Sequence, residues 1–505
     1  MTTTLASAAA TIADDPASGS TSDPLAEFAP EGTADRGASA LRGGANTLRV
    51  PTPNAAWLRH RRVRLAIGAA LVAELGLAIG FVIAYRPLDL EIYLWGGRAV
   101  TQGMRLYLTQ AHANWFTYPP FAAALFTPLA ALPGVAARLI WELASIAAFT
   151  WSCWLTLKLA GCRPSATGLL AMAAGGLLLE PMYHTLYLGQ VNLFLLALVL
   201  ADIWRVARGR HAGIGIGVAT AIKLTPGVFI ILLLLARRTK DAVTAAASFA
   251  GCVLIGFLVD PGASRLYWSH LFYDTSRVGA TYISNQSPYG ALARVLGGVG
   301  HVGTWYYVVP AILGAVGLAI AATLARRGDW LGAAAVTATT GLLVSPISWT
   351  HHWVWIMPAL VVLARGGFGS RVAAACGFLL FTLAPMWWTP HSGQSGDYGW
   401  HGLATVVANC FLIAGLAFVA YMAVRTWRGV PTGPRRGLAV GVGDRVREDR
   451  LPSKLMPVPL AAEWVSTRTP RPRDKGRSTW QALCARISTH RTRRARLRVE
   501  RARLT

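Results

Sequence analysis

The chain has 505 residues, 54% of them hydrophobic and only 14% charged, with a mean hydropathy of +0.42. A soluble globular protein carries about a quarter charged residues, so the composition excludes an ordinary soluble domain and indicates a polytopic membrane protein. The formal net charge of +25 would suit a nucleic-acid binder. Its arginines, however, sit in short loops between apolar runs and in the tail after Arg425, where they orient helices and meet anionic lipid, and no nucleic-acid motif accompanies them.

In chain order, residues 1–58 form a Ser/Thr/Ala/Gly/Pro-rich tail with too little apolar surface to fold, read as disordered and cytoplasmic. RHRRVR (59–64) precedes a first apolar run, AIGAALVAELGLAIGFVIAY, long enough to cross a bilayer. It is followed by a long outer loop, 86–137, in which the short, Pro-bounded FTYPPFAAALFTPLAALP (116–133) reads as a surface helix. The basic loops at 159–165, 205–210, 236–240, 325–329 and 364–371 mark the cytoplasmic side. The aromatic and polar stretches 86–137, 184–190, 260–300, 345–352 and 387–401 mark the other side.

The run 212–236 has basic loops at both ends, which one crossing cannot give. Its break at KLTP, where Pro226 disfavours helix at Thr225, predicts a re-entrant hairpin entering from the inside. The count is about ten spans plus the hairpin, or 10–12 transmembrane helices in an all-α protein. A transmembrane domain at 59–425 and a basic cytoplasmic tail at 426–505 complete the organisation. The six cysteines show no CxxC spacing, and no metal site is expected.

Ionisable groups at membrane depth are functional candidates by default. Asp89 and Glu91, in RPLDLEIYLWGG, share a face only if the backbone is extended and diverge by about 200° in a helix. They are either solvated loop carboxylates or site groups, and two carboxylates would also suit a glycosidase. His351 and His352 lie in SPISWTHHWVW, but adjacent residues cannot share a helix face and no third metal ligand is near. Hydrogen bonding to a phosphate or sugar suits them better, with the Trp residues stacking on a sugar or belonging to the interfacial belt. Lys223, in the hairpin, needs an anion such as a lipid phosphate, or an acid partner. Gln190 and Asn192 in GQVN, and Asn285, Gln286 and Arg294 in NQSPYGALAR, can bind hydroxyls or phosphate, although turn chemistry explains them equally well. Glu74, Glu142, Glu180 and Asp202 read as helix-packing or boundary residues.

The order DLEIY (89–93), FTYPPF (116–121), GQVN (189–192), AIKLTPG (221–227), NQSPYG (285–290) and SPISWTHHWVW (345–355) resembles the actinobacterial polyprenol-phosphate-mannose-dependent α-mannosyltransferases of the glycosyltransferase C superfamily, from about residue 60 to 425. The resemblance implies a glycosyltransferase C-type fold with an extracytoplasmic active site in the plasma membrane. The implied reaction is inverting transfer of mannose from polyprenyl-phosphate-mannose to a phosphatidylinositol mannoside, or to lipomannan or lipoarabinomannan, through α-(1→2) links. No cofactor is implied, the lipid-linked sugar being a co-substrate.

Asp89 matches the family's catalytic base, and Tyr118 falls in a matching motif, with His351 and His352 in the family's site. Glu91 stands where the phosphatidylinositol mannoside enzyme carries histidine, so it reads as a sugar-binding or acceptor-selecting residue. Such a displacement needs one base to take the acceptor's proton and cationic or hydrogen-bonding groups for the departing phosphate, for which His351, His352 and Arg294 are candidates. The competing readings are a secondary transporter, which predicts internal repeats that are not seen, a lipid or glycolipid translocation protein, and a non-catalytic envelope lipid-binding protein.

Overall fold

The structure, a computed structural model, describes residues 61–429 apart from 392–396 and 398. The expected N-terminal tail and the C-terminal tail beyond residue 429 lie outside these residues. The regular structure of the described residues is helical, and their sole bridges are the isolated pairs Ala111–Asn114 and Asn285–Trp349. The helices run α1 (Arg61–Ala84), α2 (Leu88–Thr101), α3 (Pro120–Ala130), α4 (Gly134–Leu159), α5 (Ala166–Leu177), α6 (Glu180–Leu188), α7 (Asn192–Ala207), α8 (Ile214–Ile222), α9 (Val228–Leu235) and α10 (Thr239–Val259). They continue as α11 (Pro261–Leu266), α12 (Pro288–Val295), α13 (Val308–Arg326), α14 (Trp330–Val344), α15 (Ile356–Ala364), α16 (Phe368–Leu383), α17 (Leu403–Ala408) and α18 (Cys410–Trp427).

Among the described residues, five helical stretches are long and apolar enough to cross a bilayer: α1, α4, α10, Thr304–Arg326 and α18, with α5 and α6 as a sixth if their 76° bend is counted within one span. This is fewer than the ten to twelve read from apolar runs. The remaining runs form shorter helices, such as α14 with 15 residues and α16 with 16, that stop where the chain turns into the polar site. The chain is thus a multi-pass, all-α membrane protein. Beyond its arginine-rich first turn, α1 is apolar all round except for Glu74 and buries only Val82, the pattern of a lipid-facing helix. α14 is its opposite, with nearly every side chain buried. It can lie at the centre because its residues are small, and a Cβ on Gly317 of α13 would collide with Thr340, so the two helices pack almost backbone to backbone.

α3 has eleven residues, about 16 Å at 1.5 Å per residue, far too short to span. It lies against α2, its Phe126 ring stacked on Tyr93 at 4.6 Å. The KLTP break folds as a hairpin tip, in which α8 ends at Lys223, extended at φ −150°, ψ 127°, and a 3-10 turn over Thr225–Gly227 leads into α9. The two feet of the hairpin are tied together. Asp241 accepts from Ala212 N at 2.9 Å and pairs with His211 at 3.1 Å, and Arg238 donates to Arg210 O at 3.2 Å.

The same end gathers the other basic loops: Arg326 donates to Leu235 O, Arg327 donates to Thr426 O at 2.8 Å, and Arg365 lies 3.6 Å from Asp329. At the far ends of these helices the polar stretches 86–118, 184–192, 281–287, 345–352 and 387 meet one another.

Candidate active site

Asp89 is not a loop residue. It occupies the first turn of α2, entered through Pro87, where the helix dipole favours a carboxylate. Helical geometry sends Asp89 and Glu91 apart. Glu91 lies 3.5 Å from Arg138 of α4, and Arg138 also donates to Val82 O at 3.0 Å. Glu91 is therefore a packing residue that ties α2 to α4 and α1, and it is absent from the cluster around Asp89.

That cluster is built by the turn after α6. Gly189 takes a left-handed φ of +68° and lies so close to α2 that a Cβ there would stand 2.7 Å from that of Leu90, while Trp141 Nε1 donates to its carbonyl at 2.8 Å. The turn delivers Gln190 beside Asp89. The Tyr93 and Tyr118 hydroxyls donate to Gln190 Oε1 at 2.8 and 3.1 Å. With its oxygen occupied by two phenols, the amide presents its NH2 to Asp89, with which it is hydrogen bonded. Asp89 stays partly exposed, and its surroundings displace enough water to raise its carboxyl above the usual aspartate range. The Gln190 hydrogen bond and the nearby Lys223 and His184 oppose that rise.

Lys223 reaches the site from the hairpin tip. Its Nζ donates to Asn192 Oδ1 at 3.1 Å and to His352 Nε2 at 2.8 Å, and it lies 5.5 Å from the centre of the Tyr118 ring. No carboxylate lies within ion-pair distance of Nζ among the described residues, so its charge faces Asp89 across the site. Asn192 also donates to His351 O at 2.8 Å, which fixes the histidine pair. His351 packs edge-on against His352 at 4.8 Å and against His184 at 5.4 Å between ring centres. Both of its ring nitrogens are buried without a partner, a state that calls for a ligand or water.

His184 and Glu180 were not among the candidates, Glu180 having been read as a boundary residue. Glu180, 1% exposed, accepts from His184 Nδ1 at 2.8 Å and from Trp387 Nε1 at 3.1 Å. The same Nδ1 lies 3.0 Å from Thr350 Oγ1. Their i, i+4 spacing on one helix face was the available signal.

Three other candidates are also placed differently from their reading as ligand groups. Asn285 is fully buried, donating to Ala280 O at 2.8 Å and accepting from Ser348 N at 2.8 Å. Gln286 donates to Ala408 O at 2.8 Å and accepts from Phe411 N at 3.1 Å. Arg294 spends its guanidinium on Tyr282 O, Asn285 O and Asn409 Oδ1 at 3.0, 2.9 and 2.5 Å. Together they tie the stretches 280–294, 346–348 and 408–411 to one another. Among the described residues no set of three His, Cys, Asp or Glu side chains is placed to hold a metal.

A multi-pass bundle that gathers one partly exposed carboxylate, a lysine and three imidazoles into one polar cluster is the framework of a membrane enzyme. Residues 116–346 match Glycosyltransferase family 87. The chain is 34% identical over 392 residues to a polyprenol-phosphate-mannose-dependent alpha-(1-2)-phosphatidylinositol mannoside mannosyltransferase of Mycobacterium tuberculosis, covering 69% of this chain and 90% of that protein. It is 31% identical over 401 residues to a polyprenol-phosphate-mannose-dependent alpha-(1-2)-phosphatidylinositol pentamannoside mannosyltransferase of Mycolicibacterium smegmatis, covering 74% and 96%. The chain belongs to glycosyltransferase family 87 and is a glycosyltransferase.

Proposed function

We propose that the chain transfers mannose from polyprenyl-phosphate-mannose to a phosphatidylinositol mannoside through an α-(1→2) bond, on the extracytoplasmic face, with both termini cytoplasmic. The donor and acceptor are those named for the relatives above. The observation that carries the reading is Asp89, half-buried, held by Gln190 and flanked by Lys223 and His184.

In an inverting displacement the acceptor oxygen forms a bond to the anomeric carbon as the bond to the phosphate oxygen breaks. Asp89 takes the acceptor's hydroxyl proton, and the bonding pair leaves with the phosphate, which gains a negative charge. Lys223 and the single unpartnered N–H of the His351 ring are suited to receive that charge, since preorganised donors act where charge develops. A phosphate is a good leaving group, so neither a strong acid nor a resident cofactor is required. The short helices make the placement useful. The fifteen residues of α14 rise about 22 Å, less than the ~30 Å of a bilayer's hydrocarbon core, which leaves the site within reach of two lipid-anchored substrates.

The test is to incubate membranes bearing the protein with labelled mannosyl-phosphoryl-polyprenol and identify the lipid that becomes labelled. Wild type is expected to label a phosphatidylinositol mannoside, and Asp89→Asn membranes to lose nearly all label at equal protein level. Full transfer by Asp89→Asn would remove Asp89 as the base, and a labelled lipid of another class would overturn the acceptor.

A further inference from the structure

The site is electrically lopsided, and its lopsidedness matches one orientation of a sugar phosphate. At one end stands Lys223, the site's one primary amine, hydrogen bonded to the neutral groups Asn192 and His352, with Asp89 as the opposite charge near it. At the other stands His184, whose ring is tied to the buried carboxylate of Glu180. That carboxylate has little else to balance it: Oε1 also receives the Trp387 indole, and Oε2 is buried with no partner. A buried carboxylate needs a counter-group close by, so the imidazole and carboxylate act as a unit. The pair carries no net positive charge wherever its shared proton sits, whereas the Lys223 end has an amine that can hold one against a phosphate.

The unit is also aimed. Nδ1 is engaged by Glu180 and Thr350, and no hydrogen bond from Nε2 is made among the described residues. The ring keeps partial exposure, 18% against 1% for Glu180, so His184 and not Glu180 is the group a ligand can reach. Asp89 lies near enough to both Lys223 and His184 to feel their charges, and His351, packed against His184 on one side and His352 on the other, joins the two ends.

We propose that His184 contacts the hydroxyls of the sugar being transferred and is a specificity-determining residue, with Glu180 as the positioning residue that fixes its ring. The inference rests on the donor reading above and deepens it. The phosphate lies toward Lys223, the sugar ring lies toward His184, and the anomeric carbon that joins them comes opposite Asp89. A hydroxyl, which both donates and accepts, suits an imidazole nitrogen in either protonation state. The phosphate, by contrast, would meet the field of Glu180 at this end and, at the other, an amine with no carboxylate in ion-pair contact among the described residues.

The experiment compares binding of two probes to the full-length protein in nanodiscs: mannosyl-phosphoryl-polyprenol, which carries the sugar, and polyprenyl phosphate, which does not. His184→Ala is expected to weaken the sugar-bearing lipid roughly tenfold, the ordinary worth of a lost hydrogen bond, while changing polyprenyl phosphate by less than about twofold. Lys223→Met is expected to weaken both. Glu180→Gln, which keeps the shape and an acceptor oxygen, should reproduce His184→Ala in part, and it serves as the working variant if His184→Ala does not fold. Equal weakening of both probes by His184→Ala would assign it to the phosphate, and unchanged binding of both would remove it from the donor site. Wild type binding neither probe would defeat the donor reading itself, a result distinct from either of these.

Discussion

At the scale of single residues, polar side chains with identical sequence credentials divide into two groups. Asp89 is half-buried and flanked by mobile-proton and cationic groups, whereas Arg294 is 3% exposed with its guanidinium directed at two carbonyls and an amide. Arg294→Met orphans those acceptors at about 1–3 kcal/mol each. It should therefore appear as a loss of folded protein in detergent thermal unfolding, with the donor KM of the surviving fraction unchanged. Asp89 should behave in the opposite way. Its carboxyl is raised by burial, so the folded protein holds the proton more tightly than the unfolded chain does. That contribution to stability is complete below the ordinary aspartate value of about 3.9 and is lost as pH rises through the raised folded value. At neutral pH the ionised side chain opposes folding. Asp89→Asn is expected to unfold at the same temperature as wild type or higher at pH 7, while losing activity. The wild-type kcat/KM should rise with pH through an apparent pKa above that of a free aspartate. A profile flat from pH 4 to 8 would contradict the role of Asp89 as base.

At the scale of elements, the site depends on three chain reversals. One sets Gln190 beside Asp89 through the left-handed Gly189, another carries Lys223 in on the hairpin tip, and the last packs His351 under α7. Gly189→Ala would place a Cβ at a left-handed φ and 2.7 Å from that of Leu90. Strain of this kind costs about 1–3 kcal/mol, so the variant should fold less stably. It should also lose more than about tenfold in kcat, because Gln190 withdraws from Asp89; unchanged kcat with lowered stability would confine the glycine to folding. These reversals explain what the sequence disclosed. Pro226 breaking an apolar run, with a lysine before it, was legible because both signals are local. The partners of Lys223 were not, since Asn192 and His352 lie 31 and 129 residues away. Asn285, Gln286 and Arg294 looked like ligand groups because the donors that bind a sugar also satisfy a carbonyl. Glu180 looked like a boundary acid because its meaning comes from Trp387, 207 residues away.

At the scale of the whole molecule, the alternation of basic and aromatic stretches reappears as two separate contact networks. The loops at 205–212, 236–241, 325–329 and 365 and the end of α18 bond to one another through Arg210, Leu235, Asp241, Asp329 and Thr426. The stretches read as outer bond among themselves through Gln190, Asn285, Trp387 and Tyr107, the last accepting from Arg277 at 2.8 Å. A topology wrong at one span would have mixed the two networks, and the hairpin is the element that prevents it. Counted as a single crossing, 212–236 would have sent every later loop to the wrong side. The proposed orientation therefore makes a paired prediction in intact cells, using a protein whose own six cysteines are replaced. A cysteine at the exposed Ser276 should react with a membrane-impermeant maleimide, and a cysteine at the exposed Lys240, at the foot of the hairpin, should react only after the membrane is permeabilised. Labelling of both from outside would open the hairpin into a full span, and labelling of Lys240 alone would turn the molecule over and carry the site to the cytoplasmic face.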